Sequence, residues 1–424
     1  MLTDVIKFEN SEAFAQTMDR DDPLSAYRSK FSFPKKANGE PCIYLAGNSL
    51  GLMPKITKDY VNAELDDWAE HGVEGHLSAR LPWLPYHENL TGMSARLVGA
   101  KPSEVVVMNS LTVNLHLMMV SFYKPTKTKF KIFIESNAFP SDQYAVKSQA
   151  KFHSLDPNIA IGEFRPRTGE LTLRTEDILE TIAREGESLC LIVLGQVNYL
   201  TGQAFDIPAI VEAAHKVNCV VGLNLAHGAG NLVLKLHDWN VDFAVWCSYK
   251  YLNAGPGGIA GTFVHECHGK SFDLPRFAGW WGHNKKTRFA MPVEFDPLAG
   301  GEGWQLSNPP ILQLAALRAS MEIFDQATMP ALRKKGDLLT GYLEFLLEPM
   351  KGVSIITPPD ITARGNQLSL KIKDNPKQLL EKLKQDGVIG DFREPDIIRV
   401  APAPLYNNFQ DVYRFCQVIS KYVR

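Results

Sequence analysis

The chain of 424 residues has no CxxC pair, no basic run and no apolar stretch of membrane-spanning length. Its opening, "MLTDVIKFENSEAFAQTMDRDD", lacks the basic stretch and long apolar run of a secretory signal, so a cytosolic protein is expected. A formal charge of −2 without basic clusters excludes nucleic acid or an anionic membrane surface as the principal partner. That leaves a small-molecule substrate. The six cysteines (42, 190, 219, 247, 267 and 416) are scattered, several within apolar runs where a free thiol packs as a small hydrophobe. "HECH" (265–268) has no second ligand cluster at useful spacing, so it reads as a surface turn and no metal is expected. Repeats, low-complexity segments and Ser/Gly-rich linkers are also missing, which implies that the folded units share a fixed interface.

What is present is ordinary globular material, 45% hydrophobic and 22% charged, in a chain long enough for more than one domain. Strand-like runs recur at 104–109, 130–136, 189–195, 219–226, 242–248 and 257–266. They lack a polar alternate face, which suits a sheet covered on both sides. Helical patterns lie between them, among them "TEDILETIAREG", with Thr175 as N-cap and Gly186 as stop, and 207–218. The class is α/β with a mostly parallel sheet. From about residue 312 long amphipathic helices and short strands form a smaller α+β unit.

Three words compete for the chemistry. "GPGGIAG" resembles a dinucleotide fingerprint, but its glycines lead into a strand instead of opening a helix. "GNSLG" (47–51) fits a nucleophile elbow around Ser49, which makes a serine hydrolase a formal alternative, although the pattern of a Gly/Asn/Ser turn fits better. Lys250 ends the apolar run "FAVWCSYK", where an ammonium is costly unless something holds it. Ser110-Leu111-Thr112 sits between a strand and a helix, a natural phosphate cradle. Phe139-Pro140-Ser141-Asp142 follows another strand and adds an aromatic face and an acid at the same sheet edge. Lysine, cradle, aromatic face and acid together describe a pyridoxal phosphate site, with the lysine held as a Schiff base.

With these words in view the chain resembles the kynureninases, type I pyridoxal-phosphate enzymes of tryptophan breakdown. "NSLTVNLHLMM", "AFPSDQYA", "VDFAVWCSYKYLNAG", "GWWGH", "LSNPPI" and "IRVAPAPLYN" stand in the family's order. The resemblance implies a type I fold with a large domain over 60–311 and a small one from 1–59 and 312–424. It also implies a homodimer with the active site at its interface. Lys250 would carry the cofactor, with Leu111, Thr112 and Tyr249 at its phosphate. Phe139, with Pro140 beside it, would cover the ring. Ser141, Asp142 and His227 would complete its polar contacts. Trp280 and Asn308, with Ser307, would bring cofactor and substrate together. His76 would approach the aryl ring, and Arg399 would clamp the α-carboxylate. The implied reaction is hydrolysis of kynurenine or 3-hydroxykynurenine to the anthranilate and L-alanine, with Tyr249 as proton donor.

The chain departs from the family's wording in three places. Asn224 stands where an aspartate is expected beside the ring nitrogen, Leu200 replaces a tyrosine before "TGQ", and "SARLPW" replaces a basic word. A neutral amide cannot hold the ring nitrogen protonated as a carboxylate does. Asn224 therefore predicts slowed catalysis or, as the alternative, a cofactor-binding relative with little lyase activity.

Overall fold

The computed structural model describes residues 6–423. The apolar runs build one seven-stranded sheet: β1 (Val105–Val107), β2 (Lys131–Glu135), β3 (Ile161–Phe164), β4 (Leu189–Gly195), β5 (Val220–Asn224), β6 (Phe243–Trp246) and β7 (Gly261–Val264). Its order is β1-β7-β6-β5-β4-β2-β3. Neighbours are parallel except that β7 runs against both β6 and β1. Six strands lie where the apolar runs predict them. The seventh, β3, escapes pattern reading because "IGEF" forms a sheet edge and buries only Phe164. Its Gly162 lies against the Phe133 ring, where a Cβ would come within 2.2 Å of Cε2.

Strand β1 leads into helix α1 (Leu111–Phe122) and β2 into α2 (Pro140–Phe152). Farther on come α3 (Thr175–Glu185) and α4 (Ile207–Lys216). Gly186 ends α3 as expected, but Thr175 is its first helical residue and Arg174 occupies the N-cap. Glu176 and Asp177 in the first turn favour the helix dipole there in place of a side-chain cap. Helix α5 (Ile311–Ala327) packs on the helices Thr57–His71 and Glu88–Val98, and its Leu314, Leu317 and Met321 join the core beneath the large sheet.

A second sheet of β8 (Val353–Ile355), β9 (Leu368–Ile372), β10 (Asp391–Arg393) and β11 (Ile397–Val400) is antiparallel, in the order β10-β11-β9-β8. Its core includes Ala15, Ile43 and Leu45, so the N-terminal segment is built into the C-terminal unit. No helix among the described residues is long and apolar enough to cross a membrane.

Two of the glycine-rich words find structural uses. Gly255 and Gly257 adopt positive φ (88° and 68°) in the turn that delivers the chain to β7. "GNSLG" forms a turn closed by the Ser49 N–H donating to the Ala46 carbonyl at 2.9 Å. No helix begins until Thr57, so there is no nucleophile elbow. The word instead seats the Lys250 loop. The Gly51 N–H donates to the Tyr249 carbonyl at 2.8 Å, and a Cβ on Gly51 would lie 2.3 Å from the Lys250 carbonyl oxygen.

Candidate active site

All four residues of β6 are buried, and beyond them the chain must turn with few polar partners to hand. Ser248 Oγ donates to the Ile259 carbonyl at 2.5 Å. The Asn253 N–H donates to the Lys250 carbonyl at 3.0 Å, with Asn253 in the left-handed region at φ 56°. Lys250 thereby enters a pocket at the carboxyl edge of the sheet, lined by Glu135, Asp142, Gly195, Asn224 and His227. Its Nζ lies 3.1 Å from His227 Nε2 and 5.8 Å from the centre of the Phe139 ring. Burial pushes the Lys250 pKa down, and Arg399 and Arg393 act in the same direction. Burial, then the charge of Lys250, drives His227 well below the usual imidazole value. A neutral imidazole accepting at Nε2 keeps its proton on Nδ1, and that atom is buried without a partner.

Asn224, the last residue of β5, holds an acid. Its Nδ2 is 2.9 Å from each oxygen of Asp142. The Ala226 N–H donates to its Oδ1 at 2.9 Å, which settles the amide's orientation. Burial raises Asp142 to about 6, against the opposing pull of Asn224 and Lys250. Glu135, at the end of β2, accepts the Gly195 N–H at 3.0 Å. Burial pushes it to about 8, and the charge of Asp142 adds to the rise. Both acids are held above the ordinary carboxylate range, Glu135 the farther of the two.

Helices α1 and α2 begin side by side. Ser110 and Phe139 are their N-caps, and neither side chain bonds to its helix. Thr112 Oγ1 and Ser141 Oγ are 2.9 Å apart and join the two first turns. Two helix N-termini with open N–H groups and a hydroxyl pair form an anion cradle. Phe139, 44% exposed, meets Tyr199 edge-on at 5.3 Å. Burial, with Cys247 adding to it, lifts the Tyr249 phenol to about 12, so it keeps its proton at neutral pH.

The expected substrate residues are not all gathered. Arg399 is 1% exposed on β11 and donates to the Tyr199 carbonyl at 2.7 Å. His76 meets Trp83 edge-on at 5.4 Å, Trp280 Nε1 donates to the Arg288 carbonyl at 3.2 Å, and Ser307 and Asn308 are exposed. None of these five lines the Lys250 pocket within a single chain, although Arg399 reaches the carbonyl of Tyr199, which does. Leu200 lines a neighbouring cleft with Lys371 and Asp396. "HECH" is a turn, but its first residue is no surface group: His265 is buried, with Nδ1 3.1 Å from Cys267 Sγ. Glu135 and Tyr199 were not foreseen. Glu135 carries the same signal as Lys250, an ionisable residue at the end of an apolar run.

Relatives decide the family. A kynureninase of Myxococcus xanthus is 62% identical over 419 residues, covering 98% of this chain and 98% of its own. The chain belongs to the kynureninase family. A kynureninase of Koribacter versatilis is 58% identical over 97% of both chains. One of Nematostella vectensis is 48% identical, over 97% of this chain and 93% of its own. Residues 332–419 match the kynureninase C-terminal domain. Among solved structures, a cysteine desulfurase of Thermococcus onnurineus superposes with a TM-score of 0.77 at 16% identity, over 96% of this chain and 98% of its own. A cysteine desulfurase of Escherichia coli gives 0.76 at 15%, over 94% and 98%. At such identities the likeness concerns the fold, which is the type I fold of pyridoxal-phosphate enzymes. Asn224 lies in the pocket and bonds to the Asp142 carboxylate, which the resemblance expects beside it.

Proposed function

We propose that the chain hydrolyses kynurenine and 3-hydroxykynurenine to anthranilate or 3-hydroxyanthranilate and L-alanine, using pyridoxal 5'-phosphate. The observation that carries this reading is the buried amine of Lys250 beside an anion cradle and a buried carboxylate. The residues fit the cofactor. Lys250 is a low-pKa amine suited to covalent attachment, the α1 and α2 N-termini suit its phosphate, and Phe139 offers a ring face 5.8 Å from Nζ. The orphaned Nδ1 of His227 is a spare donor toward the same pocket. Leu111, Thr112, Ser141 and Tyr249 would hold the phosphate, with Pro140 opening α2 beside them. Asp142, bonded to Asn224, would serve the ring nitrogen.

Bound pyridoxal phosphate supplies an electron sink for carbanions at Cα and Cβ. The protein supplies position and protons. The Lys250 amine takes and returns the Cα proton, Arg399 holds the α-carboxylate, and Tyr249 donates a proton from its phenol. Water adds to the substrate's γ-carbonyl, and cleavage of Cβ–Cγ releases the anthranilate. Similarity to kynureninases at 48–62% identity over nearly the whole chain favours this reading over a cofactor-binding relative without lyase activity.

The chain works as a cytosolic homodimer. Six free cysteines, five of them buried, suit a reducing compartment. Trp280 meets exposed Phe289 edge-on and shares a cleft with exposed Met291 and Val293; with His76, Ser307 and Asn308, which also lie outside their own pocket, it serves the partner's site. Residues 60–311 form the large domain, and 1–59 with 312–424 form the small one, with α5 as the joint between them.

The test is anthranilate release from kynurenine by the purified protein, read with its visible absorbance. Product together with a borohydride-sensitive band is expected. Neither would defeat the proposal, and a band without product would support the inactive relative. His76 and the Ser307–Asn308 pair place hydrogen-bonding groups at the aryl ring, so kcat/KM is expected to favour 3-hydroxykynurenine. A clear preference for kynurenine would overturn that assignment.

A further inference from the structure

The Arg399 guanidinium is held by bonds on two of its sides. It stands directly opposite Asp391 across the β10–β11 ladder. Its Nε donates to Asp391 Oδ1 at 2.6 Å, Nη2 donates to Asp391 Oδ2, and Nη1 donates to the Tyr199 carbonyl at 2.7 Å. Three of five N–H groups are therefore spent, leaving one on each Nη along the remaining edge of the fork. Arg393, two residues along β10 from Asp391, places its Nη2 3.0 Å from the same Oδ2. Asp391 thus balances two guanidinium groups, and both of these depress the Lys250 ammonium.

We infer that Asp391 is a positioning residue for recognition of the substrate's α-carboxylate: it sets the plane of Arg399 and offsets the charge of Arg393, without itself touching substrate. Without it, Arg399 would keep only the Tyr199 carbonyl as an anchor and would face a second cation across a shared vacancy. The free edge of the fork would then lose its fixed direction, and recognition by two parallel N–H···O bonds depends on that direction. The inference rests on the role given to Arg399 above.

The test is steady-state kinetics of Asp391→Asn, Asp391→Glu and Arg399→Lys with kynurenine and with its α-carboxamide analogue. Asparagine keeps the size of Asp391 but turns one acceptor into a donor facing a guanidinium. KM for kynurenine is expected to rise roughly 10-fold to 100-fold, the worth of a charged hydrogen bond, while kcat stays within about threefold. On the carboxamide the same variant is expected to match the wild type within about threefold, since no anion is there to be oriented. If Asp391→Asn fails to fold, Asp391→Glu is read the same way, because one methylene displaces the carboxylate while its charge remains. A fall in kcat at unchanged KM, equal losses on both substrates, or a wild-type KM would each overturn the inference. Arg399→Lys separates the two layers of the argument. If it leaves KM unchanged, the role of Arg399 itself is wrong. If it raises KM while the Asp391 variants do not, only the role of Asp391 falls.

Discussion

The two edges of the large sheet carry the same kinds of buried ionisable residue and treat them in opposite ways. At the amino edge, Glu104 accepts from the Lys101 N–H at 2.7 Å, from the Glu266 N–H at 2.8 Å and from His237 Nδ1 at 2.9 Å. Asp242, just before β6, accepts from the Val221 N–H at 2.8 Å, from His215 at 3.0 Å and from His268 at 2.8 Å. Burial alone would raise the Asp242 pKa, but these bonds outweigh it and hold the group below its ordinary value. At the carboxyl edge the donors run short. Glu135 and Asp142 sit well above the carboxylate range, Lys250 has only a neutral imidazole beside it, and His227 Nδ1 has no partner. Residue type and burial do not separate structural acids from working ones. The count of satisfied partners does.

The comparison can be broken most sharply at Lys250. Lys250→Ala is expected to lower kcat by more than about 1000-fold, with no loss of apoprotein stability, since it removes a poorly held buried amine. Thermal melting alongside the kinetics checks both halves.

Asp142→Asn comes next. The folded pKa of Asp142 is raised from 3.8 to about 6, so its carboxylate costs stability that is absent below 3.8 and fully present above 6. The asparagine variant of the apoprotein should be more stable above pH 6 by up to ~3 kcal/mol and should match the wild type near pH 3.5. Its kcat should fall by roughly 10-fold to 1000-fold, because the ring-nitrogen end loses its anion. Denaturant melts across pH, with kinetics at pH 7.5, measure both.

Asp242→Asn reverses the pattern. The folded pKa of Asp242 is depressed, so its stabilisation is present above the unfolded value and is lost as pH falls through the folded one. The variant should lose about 1–3 kcal/mol at neutral pH and less in acid, with kcat of the folded enzyme unchanged. A fall in kcat at constant stability would tie the amino edge to catalysis.

The smallest effect is expected at Asn224. Asn224→Asp sets a second carboxylate against Asp142, and two such neighbours share a proton instead of both ionising. The charge at that end changes little, and kcat should move by less than tenfold. A larger rise would return the charge role to position 224.

Lys250 was legible in the sequence because an ammonium at the end of "FAVWCSYK" had to be explained. Six strands were legible because double-sided burial leaves unbroken apolar runs. β3 was hidden because an edge strand needs no such run, and Glu135 because a carboxylate at a strand end is ordinary when water can reach it. The bond between Asn224 and Asp142 joins residues 82 positions apart, and no local pattern encodes which side chain faces which. His76, Trp280, Ser307 and Asn308 could be named by resemblance, yet a single chain does not collect them in one pocket.

The seat that Gly51 makes beneath the Lys250 loop has a consequence for anyone who edits this protein. A turn near the start of the chain, part of the segment that completes the C-terminal core, supplies the floor on which the Lys250 loop rests two hundred residues later. A side chain at position 51 would press on the Lys250 carbonyl and on Asn253 Oδ1, 2.2 Å away, lifting the loop while the sheet beneath stayed intact. Trimming or grafting of the N-terminal segment would then surface first as a weakened hold on the cofactor, in a protein that still folds.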